Sequence, residues 1–197
     1  MDTKHIGGVI VMKHKGTLSI VVAAVSLSTA GVNTISAQGT DKYAVQVPGG
    51  LAFSEFRGYE DWPTISISQQ KNKMAVIVGN AAMINAYKAG IPDNGKPFPD
   101  GAKMAKIHWT PKRSDYPGNP SLPDTQHDVD FMVKDSKRFA DTGGWGYAMF
   151  VYDATSDAFR PGTREDVPPQ GNDANCGVAC HTIVKSRDYV FTEYADR

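Results

Sequence analysis

The stretch Thr64-Ile65-Ser66-Ile67-Ser68-Gln69 decides the fold class, because apolar and polar residues alternate along it. The alternation predicts a half-buried strand with Ile65 and Ile67 on one face and the hydroxyl groups on the other. A β-branched apolar run at residues 74–78 follows after a short polar turn, so the two segments predict a β-hairpin.

Three more strands and two short helices are predicted further along the chain. The strands cover residues 102–109, 128–133 and 145–152, and the helices cover residues 81–89 and 135–140. Residues 111–123 are rich in proline and predict a long surface connection. Gly146 and Ala148 leave room beside the last strand, either for a flat cofactor or for a packed helix. Short connections between these strands predict an α+β domain, mainly an antiparallel β-sheet with a few short helices.

The segment Cys176-Gly177-Val178-Ala179-Cys180-His181 contains both cysteines of the chain, with a histidine directly after the second. This pattern is typical of covalent c-type haem attachment, although the usual motif has two residues between the cysteines and this one has three. Each thiol can bond to one vinyl group of the porphyrin, and the imidazole can bind the iron. The sequence therefore predicts a C-terminal haem c segment in which Cys176, Cys180 and His181 hold the cofactor and His181 is the metal ligand.

Two other interpretations of the cysteines remain open. A disulfide between Cys176 and Cys180 would close a very short loop, which removes little entropy from the unfolded chain. A zinc site would need a fourth ligand from His108, His127 or a carboxylate.

The N-terminal residues have the pattern of a secretory signal. Lys13 and Lys15 precede an apolar run at residues 18–27, which is too short to span a bilayer, and small residues follow up to Ala37. We therefore predict a signal peptide at residues 1–37, with Met12 as the better natural start, and a periplasmic protein. Cleavage after Ala30 and an uncleaved membrane anchor are the alternatives.

Loss of this signal leaves a mature chain that is long enough for one domain. We divide it into an N-terminal extension at residues 38–55 and a haem domain at residues 56–197. Because the signal removes three lysines and one aspartate, the mature chain is slightly acidic. This charge argues against nucleic acid and against an anionic membrane surface as partners.

Several separate blocks of sequence, in the same order, resemble the cytochrome P-460 family. They are Asp61-Trp62-Pro63, residues 99–109, residues 130–137, the turn at residues 142–146, Cys180-His181-Thr182 and residues 188–192. The similarity runs from about Phe56 to Thr192. It implies a periplasmic homodimer with an antiparallel sheet, a histidine on the proximal side of the haem and an open distal position.

The resemblance also implies an activity. Enzymes of the type class oxidise hydroxylamine, pass the electrons to a soluble acceptor such as a small cytochrome, and carry a lysine bonded covalently to the porphyrin ring. Lys106 is the best candidate for that lysine, ahead of Lys103 and Lys112, and on a strand it shares a face with Met104 and His108. The other interpretation of Lys106 is an ordinary solvent-facing lysine.

Two further residues are candidates for catalysis. Oxidation of hydroxylamine requires a base near the distal face, and in the family a carboxylate shortly before the first haem cysteine fills that role. Asp173 is the close carboxylate here, although an aspartate that bonds its own backbone in a turn is the alternative. Arg57 is a candidate second polar residue, or an exposed arginine without a catalytic role.

The sequence motifs and the family resemblance leave three possible functions. The first is hydroxylamine oxidation at a five-coordinate haem. The second is nitric-oxide binding, as in the related β-sheet cytochromes c′, which lack the lysine cross-link. The third is electron transfer at a six-coordinate iron, whose second axial ligand would be Met104, Met149, His108 or His127.

Overall fold

Six antiparallel strands form one sheet, in which each strand pairs with the next along the chain. The strands are β1 (Thr64–Gln70), β2 (Lys73–Gly79), β3 (Lys103–Arg113), β4 (Ser121–Lys134), β5 (Trp145–Asp153) and β6 (Ala158–Pro161). The computed structural model describes residues 41–47, 50–70, 72–162 and 177–196, so the predicted signal segment lies outside the described residues. The sheet and its few short helices confirm the predicted α+β class.

The helix α1 (Ala81–Lys88) connects β2 to β3 and confirms the prediction for residues 81–89. The side-chain oxygen of Asn80 accepts a hydrogen bond from the backbone N–H of Met83 at 3.0 Å, which caps the first turn. Gly90, with a φ of 83°, follows the last turn. Short 3-10 helices lie at Lys42–Ala44, Phe53–Phe56, Tyr59–Asp61, Ala140–Thr142 and Thr182–Arg187. No helix in the described part of the chain is long and apolar enough to cross a membrane.

A β-bulge in β1 changes which isoleucine is buried. Ile65 is fully buried whereas Ile67 is 72% exposed, so the prediction that both lie on the buried face was wrong. The register of β1 against β2 shifts between Thr64 and Ser66, and an extra residue in a strand reverses the alternation beyond it.

The proline-rich stretch at residues 111–123 is mostly strand, so the prediction of a long surface connection was wrong. β3 and β4 continue through it as one hairpin, in which Pro111 lies opposite Pro123 and Arg113 lies opposite Ser121. Register shifts on both sides of Trp109 interrupt the regular ladder. Prolines are tolerated at such irregular positions because they remove few ladder hydrogen bonds there.

The predicted helix at residues 135–140 does not form. These residues make turns that lead into the 3-10 helix at Ala140–Thr142. Gly143 and Gly144 then reverse the chain into β5 with positive φ angles of 68° and 81°. The short strand β6 was not predicted and extends the sheet beyond β5.

The two faces of the sheet carry separate cores. Alternate strand residues on the first face pack against the aromatic segment that precedes β1; this first core includes Leu51, Phe53, Phe56, Tyr59, Ala105, Ile107, Val129, Phe131, Ala148 and Phe150. The second core lies on the other face with α1, and it includes Ile65, Ile77, Met83, Tyr87, Phe98, Met104, Met132, Trp145 and Tyr147. The described part of the predicted N-terminal extension therefore belongs to the first core.

The space beside Gly146 is occupied by protein. A Cβ atom at Gly146 would lie 2.4 Å from Cε2 of Phe139, and Ala148 belongs to the first core. The suggestion that a flat cofactor lies against this face was therefore wrong. The open side of β5 is the opposite one, where Tyr147 and Met149 lie.

Candidate functional site

A cavity of about 930 Å³ lies between the second face of the sheet and the C-terminal segment, residues 177–196. Cavities that hold small molecules and cofactors have volumes of roughly 300–1,000 Å³. The sheet residues that line it include Met104, Lys106, Asp130, Met132, Tyr147 and Met149. Cys180 and His181 line it from the C-terminal segment. The cysteine-histidine pair therefore faces the wall that holds the predicted lysine.

The imidazole of His181 is held in an orientation that suits a metal ligand. Its Nδ1 lies 2.5 Å from the backbone oxygen of Tyr189. Because a carbonyl oxygen can only accept, Nδ1 carries the proton and Nε2 is left as the ligand atom. Burial lowers the pKa of His181, and the charge of Lys106 lowers it further, against the opposing effect of the hydrogen bond to Tyr189. The neutral imidazole, which is the form that binds metals, is therefore favoured.

A buried ion pair supports the backbone that holds His181. Lys134 Nζ lies 2.7 and 2.9 Å from the two carboxylate oxygens of Asp188 and donates to the carbonyl of Gly143 at 3.0 Å. Trp145 Nε1 donates to the backbone oxygen of Asp188 at 2.8 Å. Asp188 and Tyr189 both have positive φ angles, 49° and 64°. These contacts hold Asp188 against the start of β5, and Asp188 directly precedes Tyr189, whose carbonyl orients His181.

Lys106 and Asp130 face each other across neighbouring strands and both line the cavity. Burial raises the pKa of the Asp130 carboxyl, and the nearby Asp128 charge raises it further, while the charges of His108 and Lys106 act in the opposite direction. A carboxyl group with a raised pKa is a better proton acceptor than an ordinary surface aspartate. The cavity thus holds an amine and a carboxyl group opposite the histidine.

The cytochrome P460 family matches residues 56–192, which is well over half of the chain. This chain belongs to the cytochrome P460 family. No curated protein is significantly similar to it. Membership makes it a haem protein related to the hydroxylamine-oxidising cytochromes.

The described residues of this cytochrome P460-family protein suit a haem. Cys180 and His181, adjacent in the chain, line one cavity whose walls are mostly apolar, and the bond to Tyr189 occupies Nδ1 of His181 and not Nε2. The segment that bears them packs closely on the sheet, because a Cβ atom at Gly177 would lie 2.7 Å from the ring of Tyr147. Cys176 and Asp173 lie outside the described residues.

The structure separates the three candidate lysines of this cytochrome. Lys106 lines the cavity. Lys103 lies on the opposite face, where its Nζ donates to the backbone oxygen of Glu55. Lys112 is exposed on the long hairpin. Lys106 is therefore the lysine whose position is compatible with a bond to the porphyrin.

The remaining candidates have different surroundings. The guanidinium of Arg57 is exposed and lies 3.7 Å from the ring centroid of Tyr43, so Arg57 is not among the described residues that line the cavity. Met104 and Met149 do line it.

Among the described residues, the histidine and acidic side chains close enough to hold a metal ion together are His108, Asp128 and Asp130. This group does not include Cys180 or His181, so the described residues do not support the zinc interpretation.

Asp130 is the site residue that sequence reasoning missed. It entered the sequence analysis only as part of the family-like block at residues 130–137, because nothing in the local pattern shows that it lies opposite Lys106. The available signal was the alternation of Asp128 and Asp130 with apolar residues in an otherwise buried strand. Such charged residues inside a strand are uncommon unless they are paired.

Gly143→Ala should destabilise the protein by about 2–4 kcal/mol, because strain and overpacking add at this position. Its φ is 68°, and a Cβ atom would lie 2.3 Å from Cε2 of Tyr189, whose carbonyl orients His181. Urea denaturation measures the loss. Gly118→Ala is the matched control, since Gly118 has a φ of 86° but no atoms within 4 Å of its Cβ position. Equal losses in the two variants would show that contact with Tyr189 is unimportant.

Proposed function

We propose that this protein is an exported, homodimeric c-type cytochrome that oxidises hydroxylamine and passes the electrons to a soluble acceptor such as a small cytochrome. The observation that supports this most is the single cavity lined by Lys106, Asp130, Cys180 and His181. Membership of the cytochrome P460 family supports the binding of haem, and the signal-like N-terminal sequence supports export of the protein. The proposal combines these three lines of evidence.

Each of these residues would have a separate role. Cys176 and Cys180 would form the covalent bonds to the haem, and His181 would bind the iron through Nε2. When bound, the haem would supply the redox-active iron at which hydroxylamine is oxidised. Lys106 would be joined to the porphyrin ring, and its place on the cavity wall supports that role.

Asp130 would accept a proton from the N–H or O–H group of the substrate. Its raised pKa and its position in the cavity support this role. The sequence-based prediction for Asp173 stays a prediction, and Asp130 is a second carboxylate that could perform the same step. The apolar thioethers of Met104, Met132 and Met149 would limit the access of water to this step.

The ferrous absorption spectrum of the mature protein tests the proposal. We expect a strongly red-shifted Soret band together with hydroxylamine oxidation in the native protein and in Lys112→Ala, which changes an exposed lysine. Lys106→Ala should have an ordinary c-type spectrum and a mass that shows no lysine-porphyrin bond. An ordinary spectrum in the native protein, with no turnover, would contradict the proposal.

Nitric-oxide binding is the second candidate function. The three methionines that line the cavity favour a small, weakly polar ligand. In that case the native protein and Lys106→Ala would have the same high-spin spectrum and would bind nitric oxide equally well. Electron transfer at a six-coordinate iron requires a low-spin spectrum, with Met104 or Met149 as the ligand that lines the cavity.

A further inference from the structure

Three side chains on neighbouring strands are close enough to share one metal ion. One nitrogen of His108 and one carboxylate oxygen each of Asp128 and Asp130 lie within 4.8 Å of one another. Nδ1 of His108 lies 3.6 Å from Oδ2 of Asp130 and forms a hydrogen bond with Oδ1 of Asp128. Zinc binds such atoms at about 2.0–2.2 Å, so ligand atoms about 3–4 Å apart can contact one ion.

The pairing of β3 with β4 places these side chains on one face of the sheet. His108 lies opposite Asp128, and Asp130 is two residues further along β4. Residues two apart in a strand point to the same face, so both carboxylates lie beside the same imidazole. The backbone therefore brings the three ligands together before any ion binds.

The site is shielded on the inside and accessible from the cavity. The side chains of His108 and Asp128 keep only 9% and 4% of their accessible surface. Asp130 keeps 44% and lines the cavity. Three protein ligands with one accessible position are typical of zinc sites that also bind water. An ion can thus enter from the cavity, and water can complete its coordination.

The two carboxylates are prepared for an ion in different ways. Oδ2 of Asp128 lies 3.3 Å from Nζ of Lys73 and forms a hydrogen bond with Nδ1 of His127, whereas Oδ1 faces His108. Hydrogen bonds to the other oxygen of a ligating carboxylate are usual in metal sites, because they hold the ligand in place. Within the described part of the chain, the carboxylate of Asp130 accepts no hydrogen bond. It is therefore available to an ion.

Two lysines lie beside these carboxylates. Lys73 contacts the outer oxygen of Asp128 and keeps 42% of its accessible surface, so it can move into solvent when an ion binds. Lys106 lies opposite Asp130, and in the proposed function its nitrogen is bonded to the porphyrin and no longer carries the charge of an ammonium group. The two carboxylates therefore keep enough negative charge to attract a divalent cation.

We propose that His108, Asp128 and Asp130 bind one zinc ion, and that this ion inhibits the protein by occupying the carboxylate that accepts protons from the substrate. The inhibition rests on the proposed function, whereas binding of the ion does not, and neither involves Cys180 or His181. The ion takes the place of the Nδ1 proton of His108, which moves to Nε2 of the same ring, and no electrons are transferred. One imidazole nitrogen with two carboxylate oxygens suits zinc better than magnesium or calcium, which prefer oxygen ligands.

Equilibrium dialysis of the haem-loaded protein against zinc measures binding, with zinc and iron determined separately. We expect one zinc ion per chain in the native protein. His108→Gln should weaken binding by more than about 100-fold, since even the hydrogen-bond partners of metal ligands contribute roughly 10- to 100-fold. His127→Gln is the matched control and should weaken binding by only about 10-fold, because His127 contacts the outer oxygen of Asp128. If His127→Gln abolishes binding and His108→Gln does not, zinc is held at the surface and the proposal is wrong.

Crystals of the native protein soaked in zinc provide a second measurement, which does not depend on a folded variant. Anomalous scattering at the zinc absorption edge distinguishes zinc from the haem iron. It should show a peak in contact with His108, Asp128 and Asp130. No peak at these three ligands would overturn the site.

Kinetic measurements test the inhibition separately. Saturating zinc should slow hydroxylamine oxidation by about 100-fold or more, as loss of a positioned proton acceptor does, and a chelator should restore the rate. The low residual rate of Asp130→Asn should not respond to zinc. A native protein that binds zinc at the three ligands and keeps its rate would refute the inhibition. A native protein that does not oxidise hydroxylamine would contradict the proposed function and the inhibition with it, whereas the zinc site depends only on the dialysis and the anomalous peak.

Discussion

Asp130→Asn should slow hydroxylamine oxidation by about 100- to 10,000-fold, the range observed for positioned acid-base groups. Asparagine has nearly the same shape as aspartate but cannot accept the proton that the substrate loses. Asp130 lines the cavity opposite Lys106, and burial raises the pKa of its carboxyl. The measurement is kcat with an artificial electron acceptor, alongside the haem content of each preparation.

Two other carboxylates provide the comparison. Glu193 lines the same cavity but is exposed, so Glu193→Gln should retain most of the native rate. Asp173→Asn tests the residue predicted from sequence, which lies outside the described residues. If Asp173→Asn abolishes turnover while Asp130→Asn leaves it unchanged, Asp173 is the base and our assignment of Asp130 is wrong.

Lys134→Met should destabilise the protein by about 3–5 kcal/mol, because removal of one partner leaves a charge without compensation in a buried place. The side chains of Lys134 and Asp188 keep only 5% and 12% of their accessible surface. Lys134 also lies 5.1 Å from the ring centroid of Trp145. Chemical denaturation at neutral pH, followed by tryptophan fluorescence, measures the free energy of unfolding.

An exposed ion pair is the control for this effect. Asp93 pairs with Arg187, and the Asp93 side chain is 71% exposed, so Asp93→Asn should cost less than about 1 kcal/mol. Addition of Asp188→Asn to Lys134→Met should recover part of the loss, because it removes the uncompensated charge. Equal losses for Lys134→Met and Asp93→Asn would show that burial of the pair is unimportant.

Local patterns in the sequence predicted most of the fold. The alternation at β1 and the apolar run at β2 predicted the hairpin, and Asn80 and Gly90 predicted the ends of α1. The exposure of Ile67 could not be predicted, because the bulge in β1 depends on its pairing with β2. The proline-rich end of the β3–β4 hairpin was missed for the same reason, since pairing overrides local preference.

The candidate site was predictable only in part. The cysteines and His181 follow from one short motif, and the choice of Lys106 came from family resemblance. The positions of Asp130 opposite Lys106 and of Asp128 opposite His108 follow from strand register. Register is a property of two distant segments together, so neither strand shows it alone.

Side chains alternate between the two faces of the central strands, and this alternation separates the residues that stabilise the fold from the residues that line the cavity. In β3, Ala105 and Ile107 belong to the first core, whereas Met104 and Lys106 line the cavity. Met104 and Lys106 therefore point away from the aromatic packing behind the sheet. The chemistry of the cavity can therefore change at alternate residues of β3 while the residues of the first core stay the same.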